Sequence, residues 1–523
     1  MRIHVVFIGI LVSCTSSASS QSLPDVSGDN DIHAISRKRA QAVKEAFEFA
    51  WHGYHTFAFP NDELLPVNNS YSNSRNGWGA TAVDALSTAI LMESQDVVMT
   101  ILEYIPTINF NVSKDNSPVS LFETTIRYLG GMLSGVDLLD GPYQHLTQSP
   151  NDTIALTLQA VNLASKMEFA FDTPTGIPAN NIDFKKESFD ISQSTGLAVA
   201  GSLDLEWTRL SDLVQVPNFA NLTQDAEQYI IYPKYESNTI QPYPGLRGTN
   251  IDLSTGEFLD VMGGWGGGDD SYYEYLIKMF VYDPVNFSAY KDEWLKAIHS
   301  SASTEIFSHP YSRPDLAFLS NWNGQDAILK SGHLVCFAGG NWILGGLVSE
   351  NQTLIDLGQS LTDSCISTYN ATLTGIGPEA WKWEDENLFE DEDEVVDMFI
   401  EGNGFNITNP SYDLRPEVLE SLYYAYRATG DKKYQDLSWK AFRAINATCR
   451  TGSGFSSITD VNAPHGGSFT NFQESFMFAE TFKYAWLIQA EDSKVHVGKM
   501  GEEQTWVFNT EGHPFKVRAQ QQM

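Results

Sequence analysis

A mainly α-helical fold is predicted by three observations. Apolar residues recur at helical spacing in nine separate segments. Long alternating strand patterns are scarce. Two of the helical segments, 414–429 and 431–447, abut through "TGD", which predicts an antiparallel helix pair. Together they argue for many such pairs around one core.

In chain order, "MRIHVVFIGILVSCTSSASSQS" comes first, with Arg2, an apolar run Val5–Val12 and then small residues. Ala18 and Ser20 fit a cleavage site before Gln21, so residues 1–20 read as a secretory signal peptide, too short to span a bilayer. Residues 21–35 read as an N-terminal extension, 36–517 as a single domain and 518–523 as a tail. The first helix is expected over 36–56, with Ser36 as N-cap and Val43, Ala46, Phe47, Ala50, Trp51 and Tyr54 on one face. Segments 79–104, 120–139, 155–170, 269–280 and 325–349 read the same way. In "LRPEVLESLYYAYRATGD", Pro416 suits the first helical position, Glu417 the anion-favouring first turn and Gly430 the C-cap. Leu419, Leu422, Tyr423 and Tyr426 form its apolar face. The helix over 431–447 follows, and 471–489 is the last. Short β pieces such as "GFSSI" and "TWVFNT" lie between helices, and no fixed-period repeat is visible.

A length of 523 residues would suit about three domains. No Pro/Ser/Gly-rich linker interrupts the chain, so one large domain is expected. The net charge of −34 argues against nucleic acid and anionic membrane surfaces as partners. It fits work in a mildly acidic medium or a need for a cation. No segment of 18 apolar residues exists, so no membrane span and a secreted, extracellular product are expected. Nine N-x-S/T sequons agree with export, at Asn68, Asn111, Asn151, Asn221, Asn286, Asn351, Asn370, Asn406 and Asn446. Processing would leave Cys336, Cys365 and Cys449, hence one disulfide and one free thiol, with three pairings open. The acidic run 384–397, "EDENLFEDEDEVVD", reads first as a solvated surface and second as a metal site.

Carboxylates recur beside glycines and aromatics at helix starts. "LFETTIRYLGGMLSG" sets Glu123 and Arg127 at i, i+4, spaced for an ion pair. "GGWGGGDDSYYEYLIK" puts Asp270 at the end of a glycine-rich loop, with Glu274 a turn later. Glu206 lies in "GSLDLEWTRLS" and Glu379 in "GIGPEAWKW". Phe476 and Glu480 share a face of "ESFMFAETFKYAW". Singly, each carboxylate reads as a surface charge or ion-pair partner. Collectively they are what glycoside hydrolysis needs: one carboxyl protonated toward the leaving oxygen, another ionised toward water or carbon. His333, in "SGHLVCFAGG", reads first as structural and second as a site wall. No G-x-S-x-G, P-loop, H-E-x-x-H or C-x-x-C motif is present.

Glu417 and Glu420 are neighbours on one helix with no basic residue between them, which costs energy unless something offsets it.

Eight blocks in order, "GWGATAVDAL", "LFETTIRYLGGMLS", "PTGIP", "DSYYEYLIK", "HLVCFAGG", "LRPEVLESLYYAYRATGD", "ESFMFAETFKY" and "VFNTEGHPF", resemble the class I α-1,2-mannosidases of glycoside hydrolase family 47, most closely secreted fungal members. The resemblance covers about residues 36–517. It implies an (α/α)7 barrel plugged by a β-hairpin, and an inverting, calcium-dependent hydrolase. That enzyme would remove terminal α-1,2-linked mannose from high-mannose oligosaccharides of N-glycoproteins, and a monomer is expected. By motif match, Glu123 is the general acid acting through a water, Glu417 the base and Asp270 a third catalytic carboxylate. Thr510 binds Ca2+ through its carbonyl and hydroxyl. Glu206, Glu379, Arg415, Phe476, Glu480 and Glu511 contact sugar or calcium-bound water; Arg127, Glu274, His333 and Gly268 join them as expected site-wall residues. The cation would offset the clustered charge at Glu417, with Glu420 ordering water or a neighbour. Cys336 and Cys365 match the family disulfide. Reticulum-type members carry arginine at the position of Gly268, which implies a wider cleft here and removal of several mannoses. The alternative on the same fold is a non-catalytic, mannosidase-like lectin.

Overall fold

The computed structural model describes residues 32–233, 241–383 and 394–518. The expected signal peptide, most of the extension and residues 519–523 lie outside them. The acidic run 384–397 lies outside the residues whose side chains are described.

Helices of the described residues run in this order: α1 Ile32–Phe57, α2 Ala80–Leu91, α3 Gln95–Tyr104, α4 Leu121–Glu123, α5 Gly130–Leu139 and α6 Asn151–Met167. Then come α7 Leu197–Ala200, α8 Asp204–Val214, α9 Pro217–Ile231, α10 Asp270–Tyr282 and α11 Ser288–Ala302. The last are α12 Phe337–Val348, α13 Gln352–Asn370, α14 Glu394–Asn403, α15 Glu417–Thr429, α16 Lys432–Thr448 and α17 Phe482–Leu487.

Seven pairs pack together: α2 with α3, α5 with α6, α8 with α9, α10 with α11, α12 with α13, α15 with α16, and α1 with α17 across the chain ends. One member of each, in the order α2, α5, α8, α10, α12, α15, α17, touches the next. The π-helical turn Met477–Thr481 ahead of α17 packs back on α2 and closes the ring. This is the expected (α/α)7 barrel.

Sequence explains which helix goes inside. Every residue of α2 (ATAVDALSTAIL) and α5 (GGMLSGVDLL) is buried, as befits helices that are apolar on most sides. The outer α16 buries a stripe, Tyr434, Ser438, Trp439, Phe442 and Ile445, and turns lysines outward. α12 and α13 approach closely because both carry glycine at the contact: a Cβ on Gly339 would lie 2.5 Å from Thr362 Oγ1, and one on Gly358 would lie 2.6 Å from the Gly339 carbonyl. Cys336 and Cys365 are bonded across the start of this pair, and Cys449 is free and buried.

The strands Trp506–Phe508 and Pro514–Lys516 pair antiparallel and pack on α10 and α5. Their turn, Asn509–His513, plugs the barrel. Asn509 is its keystone. Its Nδ2 donates to the Ile126 carbonyl (2.9 Å) and Glu206 Oε1 (2.7 Å), and its Oδ1 accepts from the backbone N–H groups of Glu511 (3.0 Å) and His513 (2.7 Å).

Several expected boundaries shift. α1 begins at Ile32, so Ser36 lies buried within it and caps nothing. Segment 79–104 splits where Glu93 turns left-handed (φ 51°). Segment 120–139 contains a π-helical turn, Thr124–Leu129. Segment 325–349 is a helix only from Phe337. Its first part forms strands Asp326–Ile328 and Lys330–Gly332, recruited by pairing with Asn321–Asn323 and Ala380–Lys382. Segment 471–489 is helical only from the π turn at Met477. Gly430 caps α15 in the left-handed region (φ 68°), as expected, whereas Pro416 sits at the N-cap. "GFSSI" makes only isolated bridges, Phe455 to Arg450 and Ile458 to Tyr412 and Phe469. Helices α7, α8, α9, α11, α13 and α14 lie outside the nine expected segments.

Candidate active site

The site forms where inner helices begin. Glu123 ends the single turn α4, whose N-cap Ser120 accepts from the Glu123 N–H at 3.3 Å. Arg127 follows on one π turn and Glu480 stands on the other; such turns widen a helix locally and recur at functional sites. Asp270 starts α10 and Glu417 starts α15, so both carboxylates meet helix N-termini, where the dipole favours an anion. Thr510 and Glu511 come up from the plug. These residues, with Glu274, Arg415, Phe476 and Gly268, line one cavity of about 400 Å3.

Arg127 donates from Nε to Glu123 Oε2 (2.7 Å) and from Nη1 to Asp84 Oδ2 (3.3 Å), and it also binds Glu511. Arg75 Nε lies 3.3 Å from the same Glu123 oxygen. Glu417 Oε2 pairs with His333 Nδ1 (2.8 Å), and His333 Nε2 pairs with Tyr369 Oη (2.8 Å). Arg415 Nε donates to Glu379 Oε2 (2.6 Å). Lys278 binds Glu274 and donates to the Asn509 carbonyl at 3.2 Å. The Phe476 ring lies under two guanidiniums, with Arg127 Cζ at 5.8 Å and Arg415 Cζ at 6.0 Å.

These surroundings push the carboxyls apart in proton affinity. Burial raises Glu417, but the His333 hydrogen bond and charge and the Arg415 guanidinium outweigh it and hold the carboxyl below its usual range. Burial raises Glu123 too, and Arg127 and Arg75 overcome it in the same way. Burial lifts Asp270 to about 6, aided by the charges of Glu274 and Glu417. Burial also lifts Glu420 to about 8, and Glu480 and Glu511 well above the carboxylate range with help from neighbouring carboxylates.

Three expected site residues lie outside this cavity. Glu206 is fully buried beneath the plug, accepting from Tyr275 Oη and Asn509 Nδ2, both at 2.7 Å. His333 and Glu379 stand behind Glu417 and line an adjoining cavity of about 340 Å3, which shares Gly267 and Leu334 with the first. Sequence reading missed Arg75, Glu474 and Phe122 on the cavity wall and Asn509 in the plug. Arg75 sits in "NSRNGWG", directly before the first block, but no spacing ties it to Glu123. Gly268 has φ 105°, a conformation side chains rarely adopt. Most sequons are exposed and Asn406 is partly so, whereas Asn446 is buried in α16.

The donor set suits a hard cation. Among the described residues the hydroxyl and carbonyl of Thr510 have no hydrogen-bond partner, while its N–H donates to Tyr275 Oη (3.3 Å). Both oxygens sit on a residue lining a cavity crowded with carboxyls, Glu274, Glu417, Glu420, Glu480 and Glu511. Among the described residues no group of three or more His, Cys, Asp or Glu is placed to hold a metal by itself. An ion at Thr510 would therefore complete its shell with water or substrate oxygens.

A plugged helical barrel whose cavity sets ionised and protonatable carboxyls beside an aromatic ring and guanidiniums defines a glycoside hydrolase. The chain belongs to glycosyl hydrolase family 47, whose model matches residues 46–517. It is 52% identical over 483 residues to the probable mannosyl-oligosaccharide alpha-1,2-mannosidase 1B of Aspergillus clavatus, covering 92% of this chain and 93% of that one. It is also 52% identical over 479 residues to the mannosyl-oligosaccharide alpha-1,2-mannosidase of Penicillium citrinum, covering 92% of each. The solved structure of the alpha-1,2-mannosidase from Trichoderma reesei superposes with a TM-score of 0.89 at 48% identity, covering 92% of this chain and 99% of that one.

Proposed function

We propose that the protein is a secreted, calcium-dependent, inverting α-1,2-mannosidase that removes several terminal mannoses from high-mannose N-glycans. The observation that carries this reading is the cavity itself, which brings Glu123, Asp270 and Glu417 together with Thr510 of the plug turn. The names of its fungal relatives supply the linkage and the substrate. The apolar leader supports export.

Glu417, ionised by His333 and Arg415, takes the proton from the attacking water. Inversion requires space for that water, so the acid and base carboxyls should stand roughly 6.5–9.5 Å apart in the working complex. Glu123 delivers the proton to the departing oxygen through a second water. Its anion is stabilised in the free enzyme, so its protonated form depends on mildly acid solution and on the water lost when sugar enters. Asp270, lifted to about 6, hydrogen-bonds sugar or water as donor or acceptor. Phe476 offers its ring to the apolar face of a sugar, and Arg415 and Arg127 fix the carboxyls around it. Calcium bound at Thr510 would supply a hard positive charge that orients sugar hydroxyls and offsets the carboxylates.

The test is glycan profiling of a high-mannose N-glycan, with and without a chelator. Stepwise loss of several α-1,2-mannoses, with α-1,3 and α-1,6 linkages untouched and no turnover after chelation, is expected. Arrest after one mannose at high enzyme would overturn the multi-residue specificity. Binding without any sugar release would leave the lectin.

A further inference from the structure

Glu123 Oε2 is shared by two guanidiniums, Arg127 Nε at 2.7 Å and Arg75 Nε at 3.3 Å. Arg127 is already engaged three ways, to Glu123, Asp84 and Glu511, so one cation is divided among three acidic side chains. Arg75 supplies the second positive charge.

The loop that carries Arg75 is fixed with unusual completeness. Asp62, fully buried, accepts the backbone N–H groups of Arg75 (2.9 Å), Gly77 (2.6 Å), Gly79 (2.8 Å) and Ala80 (3.1 Å). The Tyr128 hydroxyl donates to the Arg75 carbonyl, and Tyr128 follows Arg127 on the π turn. The Arg75 backbone is thus tied directly to the element that bears Arg127. Ser74 adds its hydroxyl to Glu63 at 2.6 Å. So many charge-assisted bonds to one loop preorganise the side chain it presents.

We propose that Arg75 is a positioning residue that, with Arg127, clamps the Glu123 carboxylate in the catalytic cavity and stabilises its charged form. The inference rests on the reading of Glu123 as the acid. The charged groups that act on Glu123 are Arg127 on the π turn, Arg75 on its loop, Asp84 on α2 and Glu511 on the plug turn; Glu474 shares both arginines. Removing Arg75 leaves burial less opposed, so Glu123 keeps its proton to higher pH.

The experiment measures kcat and KM against pH on a high-mannose N-glycan for wild type, Arg75→Gln, Arg75→Lys, Glu123→Gln and the Arg75→Gln/Glu123→Gln double variant. Arg75→Gln is expected to lower kcat about tenfold and to move the alkaline limb of kcat upward by about half a pH unit or more. Arg75→Lys should return the limb toward wild type. In the Glu123→Gln background, Arg75→Gln should change kcat less than about twofold, because the partner is gone. An equal loss in both backgrounds, or a change confined to KM with the limb in place, would overturn the proposal by placing Arg75 on the substrate instead. Full activity of Glu123→Gln alone would instead remove the acid reading on which it rests.

Discussion

At the scale of the residue, this site works by giving similar carboxyls different neighbours. Burial raises the proton affinity of both Glu417 and Asp270, yet only Glu417 has an imidazole at 2.8 Å. Replacing Glu417 by Gln removes the proton acceptor, and turnover should fall by about 10²–10⁴-fold while substrate still binds. A variant retaining more than about a tenth of the rate would show that Glu417 is not the base. His333→Gln is the subtler change. A base works only when ionised, so activity is lost as pH falls through its pKa. Without His333, burial raises that pKa, and the acidic limb of kcat should move to higher pH. A limb that stays in place would deny His333 its role. In the sequence His333 reads as structural or as a site wall, but not as the partner of Glu417, which is 84 positions away.

At the scale of the element, turns and caps decide what each helix presents. Gly268 ends the glycine-rich loop before α10 at φ 105°, and a Cβ there would meet Thr249 Cγ2 at 3.2 Å. An arginine can therefore enter only with backbone strain of about 1–3 kcal/mol. Gly268→Arg should lower Tm as well as narrow the product range, and a Tm equal to wild type would show that the loop relaxes freely. The α12–α13 pair is tied by Cys336–Cys365, closing 29 residues, a constraint of about 3–4 kcal/mol in the chain-entropy model. Cys336→Ser with Cys365→Ser should lose stability of that order by urea unfolding. A loss below about 1 kcal/mol would put the stability in the glycine contacts instead. The π turns at Thr124–Leu129 and Met477–Thr481 were not legible in the sequence, because their helical spacing reads as continuous.

At the scale of the whole molecule, the barrel gathers carboxyls that no single helix would tolerate. Glu206 and Glu420 are raised from 4.5 to about 8 by burial, and Glu474 to about 7. Groups with raised folded pKa stabilise fully below their unfolded pKa, and that stability is lost as pH rises through the folded value. The calcium-free protein should therefore lose Tm between about pH 4.5 and 8. Lys483, buried and lowered to about 7, opposes this trend above pH 7, and the buried His496 and His513, lowered to about 4, oppose it between about pH 4 and 6.5, where the raised carboxyls outnumber them. Calcium should stabilise the fold by mass action, by about 2.7 kcal/mol at a hundredfold excess over Kd, so that Tm rises, and flatten the fall, because a cation replaces the missing protons. A calcium-free Tm that is level or rising across that window, or no response to calcium after exhaustive chelation, would reject the charge-compensation account and the Thr510 site.

The linear chain displays the inner helices other than α8 in outline, the Gly430 cap that ends α15, and the carboxylates Asp270 and Glu417 that begin two of them. Those properties depend on spacing and local conformation, which a linear chain displays. It takes the folded barrel to show that α12 is preceded by strands, that α8, α9, α11 and α13 complete the ring, and that Arg75 reaches Glu123 while Glu206 turns under the plug. Each of those outcomes is a contact between residues far apart in the chain. Their energy comes from packing and charge at close range, and closing the barrel is what brings them within range.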